Sequence, residues 1–211
     1  MKTCFFKCAA IVLIFTVITS GCETSDNDFL PEVEKETDFF YDNNGDKGVI
    51  SIRKDKVIIK TKSEEDAKTL SSQTVFHSAY NVGFWVFATI NPSKTNLDAL
   101  MKLSVVVDAT YGLETEDGTL QYPSDKIFLK CKDGETPENT FEANGLAENV
   151  ETIELFDQFS GIFEISLNVK LSDILKTCRI LYESGMCKFA EPSFFREMHI
   201  HVNYSLMLRS H

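Results

Sequence analysis

The sequence predicts an α+β protein made of two tandem copies of one unit, each ordered strand, helix, strand, strand, helix, strand. The main observation is a repeat, because Val-Ile-Ile-Lys-Thr-Lys at residues 57–62 returns as Ile-Phe-Leu-Lys-Cys-Lys at residues 127–132. In some segments apolar residues recur at every second position, which is typical of strands, and in others at every third or fourth position, which is typical of helices. Further segments return in the same order, residues 83–88 as residues 161–166 and residues 97–100 as residues 172–175.

The first unit, residues 47–118, is expected to open with a β-hairpin formed by residues 49–53 and 56–61. Ser63 with Asp66 three residues later is typical of a capped helix start. Residues 74–80 and 84–90 are predicted return strands, a stripe of Leu97, Leu100, Met101 and Val105 predicts the second helix, and residues 109–114 are the predicted closing strand.

The second unit, residues 119–197, has the clearer signals. Thr136 followed by Pro137 predicts a helix start, with a capping residue before proline at the first helical position. Gly185 is expected to end the second helix. The predicted strands are residues 126–132, 150–156, 162–167 and 187–194, and the second helix carries the apolar stripe Leu171, Ile174, Leu175, Cys178, Leu181 and Tyr182.

This element order, βαββαβ, is that of the ferredoxin-like arrangement. The fold class we predict is therefore α+β with tandem ferredoxin-like units. Units of about 70 residues are small and marginal alone. We expect them to pack on each other or on a partner.

The N-terminus has the layout of a bacterial lipoprotein signal peptide over residues 1–21. Lys2 and Lys7 precede an apolar run at residues 9–18, which is too short to span a bilayer. Small residues then lead to Cys22, the expected lipidation site, which would anchor the protein in the bacterial cell envelope, on the periplasmic side or the cell surface. Secretion or a retained signal is the alternative. Residues 22–46 are acidic and polar and predict a flexible tether.

The charge balance is strongly acidic. The full chain has a formal net charge of −11, and loss of the two signal lysines leaves −13. Nucleic-acid binding depends on clustered Lys and Arg. We therefore expect no nucleic-acid partner.

Three cysteines remain outside the signal and its anchor: Cys131, Cys178 and Cys187. Their number is odd and their spacing matches no zinc pattern. Two interpretations stay open, since all three occupy positions of predicted core side chains, but Cys131 and Cys187 could also form one disulfide.

The sequence patterns for metal and cofactor binding are incomplete or absent. His199 and His201 are two residues apart and would share one face of a strand, but no third ligand is evident. The Gly-Lys-Ser/Thr phosphate motif and the dinucleotide glycine pattern do not occur. We expect no metal and no cofactor.

Several short strings resemble the N-terminal prodomain of secreted bacterial subtilisin-like serine proteases. The most specific are Leu-Tyr-Glu-Ser-Gly at residues 181–185 and Phe-Ala-Glu-Pro at residues 189–192. Residues 38–41 with 44–47 resemble the opening of these prodomains, residues 114–118 their inter-unit linker, and residues 124–130 the first strand of their second unit.

The resemblance implies a ferredoxin-like fold that chaperones the folding of a protease and then inhibits it. It implies that the exposed face of the second sheet docks on the protease, with Asp157, between the second and third strands, capping protease helices. The segment after the last strand would lie in the protease cleft. The implied cleft residues are Phe194, Phe195, Arg196, Glu197 and Met198.

Other interpretations of these residues remain. Phe194 and Phe195 can also be interpreted as core aromatics, and Asp157 can be interpreted as a solvated turn residue.

Serine protease chemistry needs a serine, a histidine and an orienting acid. The His-Gly-Thr, Gly-Thr-Ser-Met and Asp-Thr-Gly settings of subtilisins do not occur in the sequence. We expect no enzyme activity.

The expected function is a non-catalytic lipoprotein that binds, inhibits or chaperones a subtilisin-like serine protease in trans. Its membrane contact would be the lipid on Cys22. Residues 198–211 diverge from the family where its catalytic domain would begin, so a truncated remnant of such a precursor is a variant of this hypothesis. The alternative from another class is a surface lipoprotein module that binds a ligand or glycan.

Overall fold

A computed structural model of the protein describes residues 36–42 and 44–196. The predicted signal peptide, Cys22, most of the predicted tether, and the predicted cleft residues Glu197 and Met198 lie outside these residues. The described chain combines an antiparallel sheet with short helices on its surface. The predicted α+β class is confirmed.

The first half contains four strands and two helices in the order strand, helix, strand, strand, helix, strand. Its sheet has the strand order β3-β4-β2-β5, with every neighbouring pair antiparallel. Ser63 and Asn96 cap the two helices by accepting hydrogen bonds from backbone N–H groups. The elements are β2 (Lys47–Thr61), α1 (Glu64–Ser71), β3 (Ser78–Val82), β4 (Trp85–Thr89), α2 (Leu97–Met101) and β5 (Val106–Thr115).

The second half repeats this order, with sheet order β9-β6-β8-β7 and all pairs antiparallel. Thr136 caps α3, and Pro137 occupies its first turn, as predicted. Single 3₁₀ turns precede β7 and α4. The elements are β6 (Leu120–Cys131), α3 (Pro137–Ala143), β7 (Val150–Asp157), β8 (Ile162–Leu167), α4 (Ile174–Glu183) and β9 (Cys187–Arg196).

The predicted hairpin at residues 49–61 is wrong, because β2 is one continuous strand of 15 residues. Its register against β5 shifts between Arg53 and Val57, which marks a β-bulge rather than a turn. Arg53 stabilises the bulge through hydrogen bonds to Asp55 and Glu114. The residues at this point also lack the Asn-Gly or Asp-Gly pair that tight hairpin turns favour.

The tether prediction is wrong for residues 37–41, which form strand β1 (Thr37–Tyr41). This strand pairs with β2 and packs on α4 of the second half. Arg179 of α4 forms an ion pair with Asp38 and donates a 2.8 Å hydrogen bond to the carbonyl of Phe39. Tyr41 stacks on Tyr182, with ring centroids 4.4 Å apart. The strand therefore ties the beginning of the described chain to the second half.

The predicted linker at residues 114–118 is a tight hairpin that joins β5 to β6. Leu113 lies opposite Gln121, and Gly118 has a φ of 81°, the left-handed conformation that closes a three-residue loop. The two halves consequently share one nine-stranded sheet.

Each half has its own apolar core between sheet and helices. In the first, Val57 and Ile59 pack with Leu70 of α1. In the second, Ile127 and Leu129 pack with Ile174, Cys178 and Leu181 of α4. Leu171, in the 3₁₀ turn before α4, and Leu175 are also buried, but they contact side chains of the first half. Within residues 36–42 and 44–196, no helix is long and apolar enough to cross a bilayer.

Candidate functional site

The two halves differ in what lies on the helix-free face of their sheets. In the first half this face carries Ile58, Trp85 and Phe87, which are almost fully buried. They are covered by side chains of the second half, namely Leu120, Tyr122, Leu171 and Phe195. A 2.5 Å ion pair between Lys60 and Asp125 lies beside this contact. The face is therefore an internal interface.

The helix-free face of the second sheet is open to solvent by comparison. Ile127 and Leu129 point to the helices, so strand alternation places Lys126, Phe128 and Lys130 on the other face. These three side chains are only partly buried. We call this surface the open face. It also includes Glu164 and Glu191, which lie opposite Phe128 in the register, Glu154, which lies opposite Glu164, and Phe156, whose ring contacts Phe128.

Charged and aromatic groups alternate on the open face. Lys126 forms an ion pair with Glu164 across β6 and β8, which raises the pKa of Lys126. The rings of Phe128 and Phe156 are tilted against each other, with centroids 4.9 Å apart. Such a mixture of aromatic area and satisfied charges is typical of protein-binding surfaces.

The β7–β8 hairpin also carries exposed apolar side chains, of which Phe156 lies on the open face and Leu155 on the opposite face. Leu155 is 53% exposed, Phe156 63% and Phe159, in the hairpin loop, 102%. Burial of an aromatic ring is worth about 1.5–3 kcal/mol, so an exposed ring in a loop contributes little to folding. The hairpin tip is thus a patch whose apolar area becomes buried only when another molecule contacts it.

Asp157 ends β7 at the base of this loop, where the sequence predicted it. Its carboxylate accepts hydrogen bonds from the Ser160 hydroxyl and from the Phe159 N–H, the latter at 3.0 Å. These hydrogen bonds, that of Ser160 first, lower the pKa of Asp157. Asp157 therefore shapes the turn, and since a carboxylate has about four acceptor positions, it keeps capacity for further donors.

Phe194 and Phe195 pack inside the protein. Phe194 lies against Phe40, with centroids 5.7 Å apart, and Phe195 lies against Trp85 and Phe87 at 5.3 and 5.4 Å. Both contacts agree with the interpretation of these residues as core aromatics. Their role in a protease cleft stays a prediction.

Arg196 is the last described residue of β9 and lies opposite Gln121. It lines a cleft of about 390 Å³ together with Phe40, Lys47 and Asp117. The last described residue of β9 thus lies beside a cleft that carries both signs of charge. Glu197 and Met198 follow directly, outside the described residues.

The described residues contain no group of three or more His, Cys, Asp or Glu side chains placed to hold a metal ion. His199 and His201, the candidate metal-ligand pair in the sequence, lie outside the described range.

The open face and the hairpin tip can make noncovalent contacts with a partner through apolar side chains, ion pairs and the backbone groups of edge strands.

Sequence reasoning did not single out Leu155, Phe156 and Phe159. A signal was present, because Leu155 and Phe156 are adjacent apolar residues on opposite faces of a strand, and Phe159 lies within a predicted loop. Apolar residues on both faces of an edge hairpin indicate that one of them is exposed.

Comparison of the chain with protein-family models, with curated proteins and with solved structures finds no match.

Proposed function

We propose that the protein is a non-catalytic, lipid-anchored prodomain-like protein that binds a subtilisin-like serine protease in trans, as an inhibitor or a folding chaperone. Its place would be the bacterial cell envelope, held by the lipid on Cys22. A truncated remnant of a protease precursor would have the same architecture. The observation that carries the proposal is the open face of the second sheet, whose counterpart in the first half is buried.

The proposal includes tandem ferredoxin-like units. The element order supports it, since both halves follow strand, helix, strand, strand, helix, strand. Within each half, the first strand lies between the third and the fourth, and the second lies at the edge beside the third. Both halves have this order with antiparallel neighbours, as expected for a duplicated unit.

Docking through the open face is physically favourable. Phe128 and Phe156 supply apolar area at the centre, and Phe159 extends beyond the sheet to fill a pocket on the partner. Asp157 can accept hydrogen bonds from the N-terminus of a partner helix, where the helix dipole favours an anion. Lys126 and Glu164 already satisfy each other, so their burial leaves no unpaired charge.

The tail after β9 would add an extended segment in the protease cleft. Such a segment gains affinity from main-chain hydrogen bonds, with alternate side chains in pockets. Phe194 and Phe195 pack β9 against the core directly before Arg196. In this arrangement Arg196, Glu197 and Met198 contact the protease, while the two phenylalanines position them.

The experiment is a titration of purified residues 23–211 against subtilisin-like proteases from the same source. Phe156→Asp and Phe159→Asp place a charge on the proposed contact and should weaken inhibition at least tenfold. Val82→Asp, at another exposed apolar position in β3, is the matched control and should inhibit like the parent. Equal inhibition by all variants would remove the open face from the proposal.

The role of the tail has a separate test. Truncation after Arg196 removes residues 197–211 and leaves both phenylalanine contacts in place. Inhibition should weaken if the tail fills the cleft. Unchanged inhibition would limit the interface to the sheet and hairpin.

A ligand- or glycan-binding module is the second candidate function, and the cleft beside Arg196 favours it. Phe40 offers an aromatic ring there, with polar groups on Thr115 and Gln121. Aromatic area with a few convergent polar groups is typical of small-ligand sites. Binding of oligosaccharides that is lost in Phe40→Ala, without protease inhibition by the parent protein, would favour this function.

A further inference from the structure

Three free thiols meet in the core of the second half. Cys131 ends β6, Cys178 lies in α4, and Cys187 begins β9. Cys178 and Cys187 are fully buried in the same apolar cluster, and Cys131 packs against it while partly exposed. The sequence alone left open whether these cysteines are core side chains or a disulfide.

The strand register brings two of them face to face. Cys131 lies opposite Cys187 in the antiparallel pair of β6 and β9, directly after a register shift between Lys130 and Cys131. The next pair along the ladder is hydrogen bonded, because the Lys132 N–H donates to the Met186 carbonyl at 2.9 Å. Hydrogen-bonded and non-hydrogen-bonded pairs alternate in an antiparallel ladder. Cys131 and Cys187 therefore form a non-hydrogen-bonded pair.

Such a pair suits a disulfide. Cα atoms of non-hydrogen-bonded partners lie about 4.5 Å apart, and their side chains are closer than in the alternate pairs. Disulfides are found at Cα separations of about 4.4–6.8 Å. A regular pair of this kind therefore has a backbone spacing within the range that a disulfide needs.

The present partners of the two thiols are weak and easily given up. The Cys187 thiol donates to the Leu181 carbonyl at 3.1 Å, and the Cys131 sulfur lies 3.8 Å from the Thr140 hydroxyl. Sulfur is a poor hydrogen-bonding atom in both roles. Rotation of the two side chains toward each other thus breaks only weak hydrogen bonds.

We propose that Cys131 and Cys187 are a redox pair that closes to a disulfide on contact with a small disulfide oxidant such as oxidised glutathione. The Cys131 thiolate attacks one sulfur of the oxidant, forming a mixed disulfide and releasing one thiol of the oxidant. The Cys187 thiolate then attacks the Cys131 sulfur and releases the second. Two protein thiols are oxidised, and one oxidant disulfide is reduced to two thiols.

The environments of the thiols set the order of these steps. Burial raises the pKa of Cys187 to about 11 and that of Cys178 further. The pKa of Cys131 is also raised, first by burial, but its partial exposure admits the oxidant. Since the thiolate is the reactive form, Cys131 reacts first and Cys187 resolves the mixed disulfide.

The disulfide would close the loop of residues 131–187, which contains α3, β7, β8 and α4. Cross-linking a long loop stabilises a fold mainly by restricting the unfolded chain. It would also fasten the start of β9, at the end opposite Arg196. This inference is independent of the proposed protease binding.

The test uses the purified full chain, equilibrated with oxidised glutathione or with a reductant and then alkylated under denaturing conditions. Cleavage after glutamate separates the three cysteines of the second half onto peptides 117–135, 165–183 and 184–197, because the Glu191–Pro192 bond resists cleavage. Mass spectrometry of the oxidised sample should find peptide 117–135 linked to peptide 184–197. The melting midpoint should be roughly 5–15 °C higher in the oxidised sample.

Variants identify the pair. Cys131→Ser should abolish the linked peptide and the midpoint difference, whereas Cys178→Ala should retain both. If a variant does not fold, the linked peptides found in the wild-type protein still identify the pair. A bridge between peptides 165–183 and 184–197, or glutathione on peptide 117–135 without a linked product, would overturn the proposal.

Discussion

The helix-free faces of the two sheets come from one repeated pattern and have opposite environments. In the first half, Ile58, Trp85 and Phe87 are buried under the second half. In the second half, the matching face carries Lys126, Phe128 and Glu164 and is only partly covered. The repeat therefore sets the strand order, while the side chains on one face decide whether that face is internal.

This difference has a consequence for binding. A single small unit cannot bury both sides of its sheet, because its own helices cover only one. In the first unit, the second side of the sheet is covered by the second unit. In the second unit, the helix-free face stays open for a partner. If burial decides the energy of each face, substitutions on the covered face should destabilise the protein more than substitutions on the open face.

The largest effect is expected on the covered face. Trp85→Ala removes a buried ring that contacts Phe195 and should lower the free energy of unfolding by about 3–5 kcal/mol. Phe156→Ala, on the open face, should lower it by less than about 1 kcal/mol, because that ring is mostly exposed. Urea unfolding measures both, and similar losses would contradict the distinction between the faces.

The attachment of β1 comes next. Arg179→Met removes the ion pair with Asp38, a hydrogen bond to the Phe39 carbonyl and the stacking of the guanidinium on the Phe39 ring. Loss of these partly buried contacts should cost about 1–3 kcal/mol in urea unfolding. Lys188→Met breaks an exposed ion pair with Asp133 and should leave the unfolding midpoint unchanged. A midpoint that Arg179→Met does not move would mean that β1 is not held by α4.

Substitutions at equivalent positions in the two halves should change stability by similar amounts where the positions lie outside the contact between the halves. Ser63 caps α1 and Thr136 caps α3, each with a hydrogen bond to a backbone N–H. Ser63→Ala and Thr136→Ala should each cost about 1 kcal/mol. Thermal unfolding of the two variants checks this, and an effect confined to one half would show that the two capped helices are not energetically equivalent.

The smallest effect concerns pH and the hairpin tip. The pKa of Asp157 is lowered from its ordinary 3.8, first by the Ser160 hydroxyl, so the turn is stabilised above pH 3.8 and loses this contribution as pH falls through the lowered folded pKa. NMR titration of the Phe159 amide should have a midpoint below 3.8, and Ser160→Ala should raise it. A midpoint at or above 3.8 in the parent would contradict the role assigned to the turn.

Local patterns predicted much of the second half. Residues 162–167 form β8 at the predicted bounds, Thr136 caps α3, and the residues of the predicted apolar stripe are buried except Tyr182, which is partly buried. These features depend on capping chemistry and spacing within about ten residues. Such interactions are visible in a sequence without knowledge of the tertiary contacts.

Nonlocal contacts explain what the sequence did not predict. Strand β1 exists through pairing with β2 and through Arg179, about 140 residues away. The bulge in β2 depends on Glu114 of β5. Among the candidate site residues, the sequence placed Asp157 in the correct loop, but the inward packing of Phe194 and Phe195 depends on Phe40 and Trp85 in other strands.

We propose that the open face of the second sheet binds a subtilisin-like serine protease. The most direct measurement is the inhibition titration with residues 23–211, Phe159→Asp and Val82→Asp compared at equal folded fraction. We predict saturable inhibition by the parent and by Val82→Asp, weakened at least tenfold in Phe159→Asp. Folded protein that inhibits none of the proteases from its source, or equal inhibition by all three proteins, would contradict the claim.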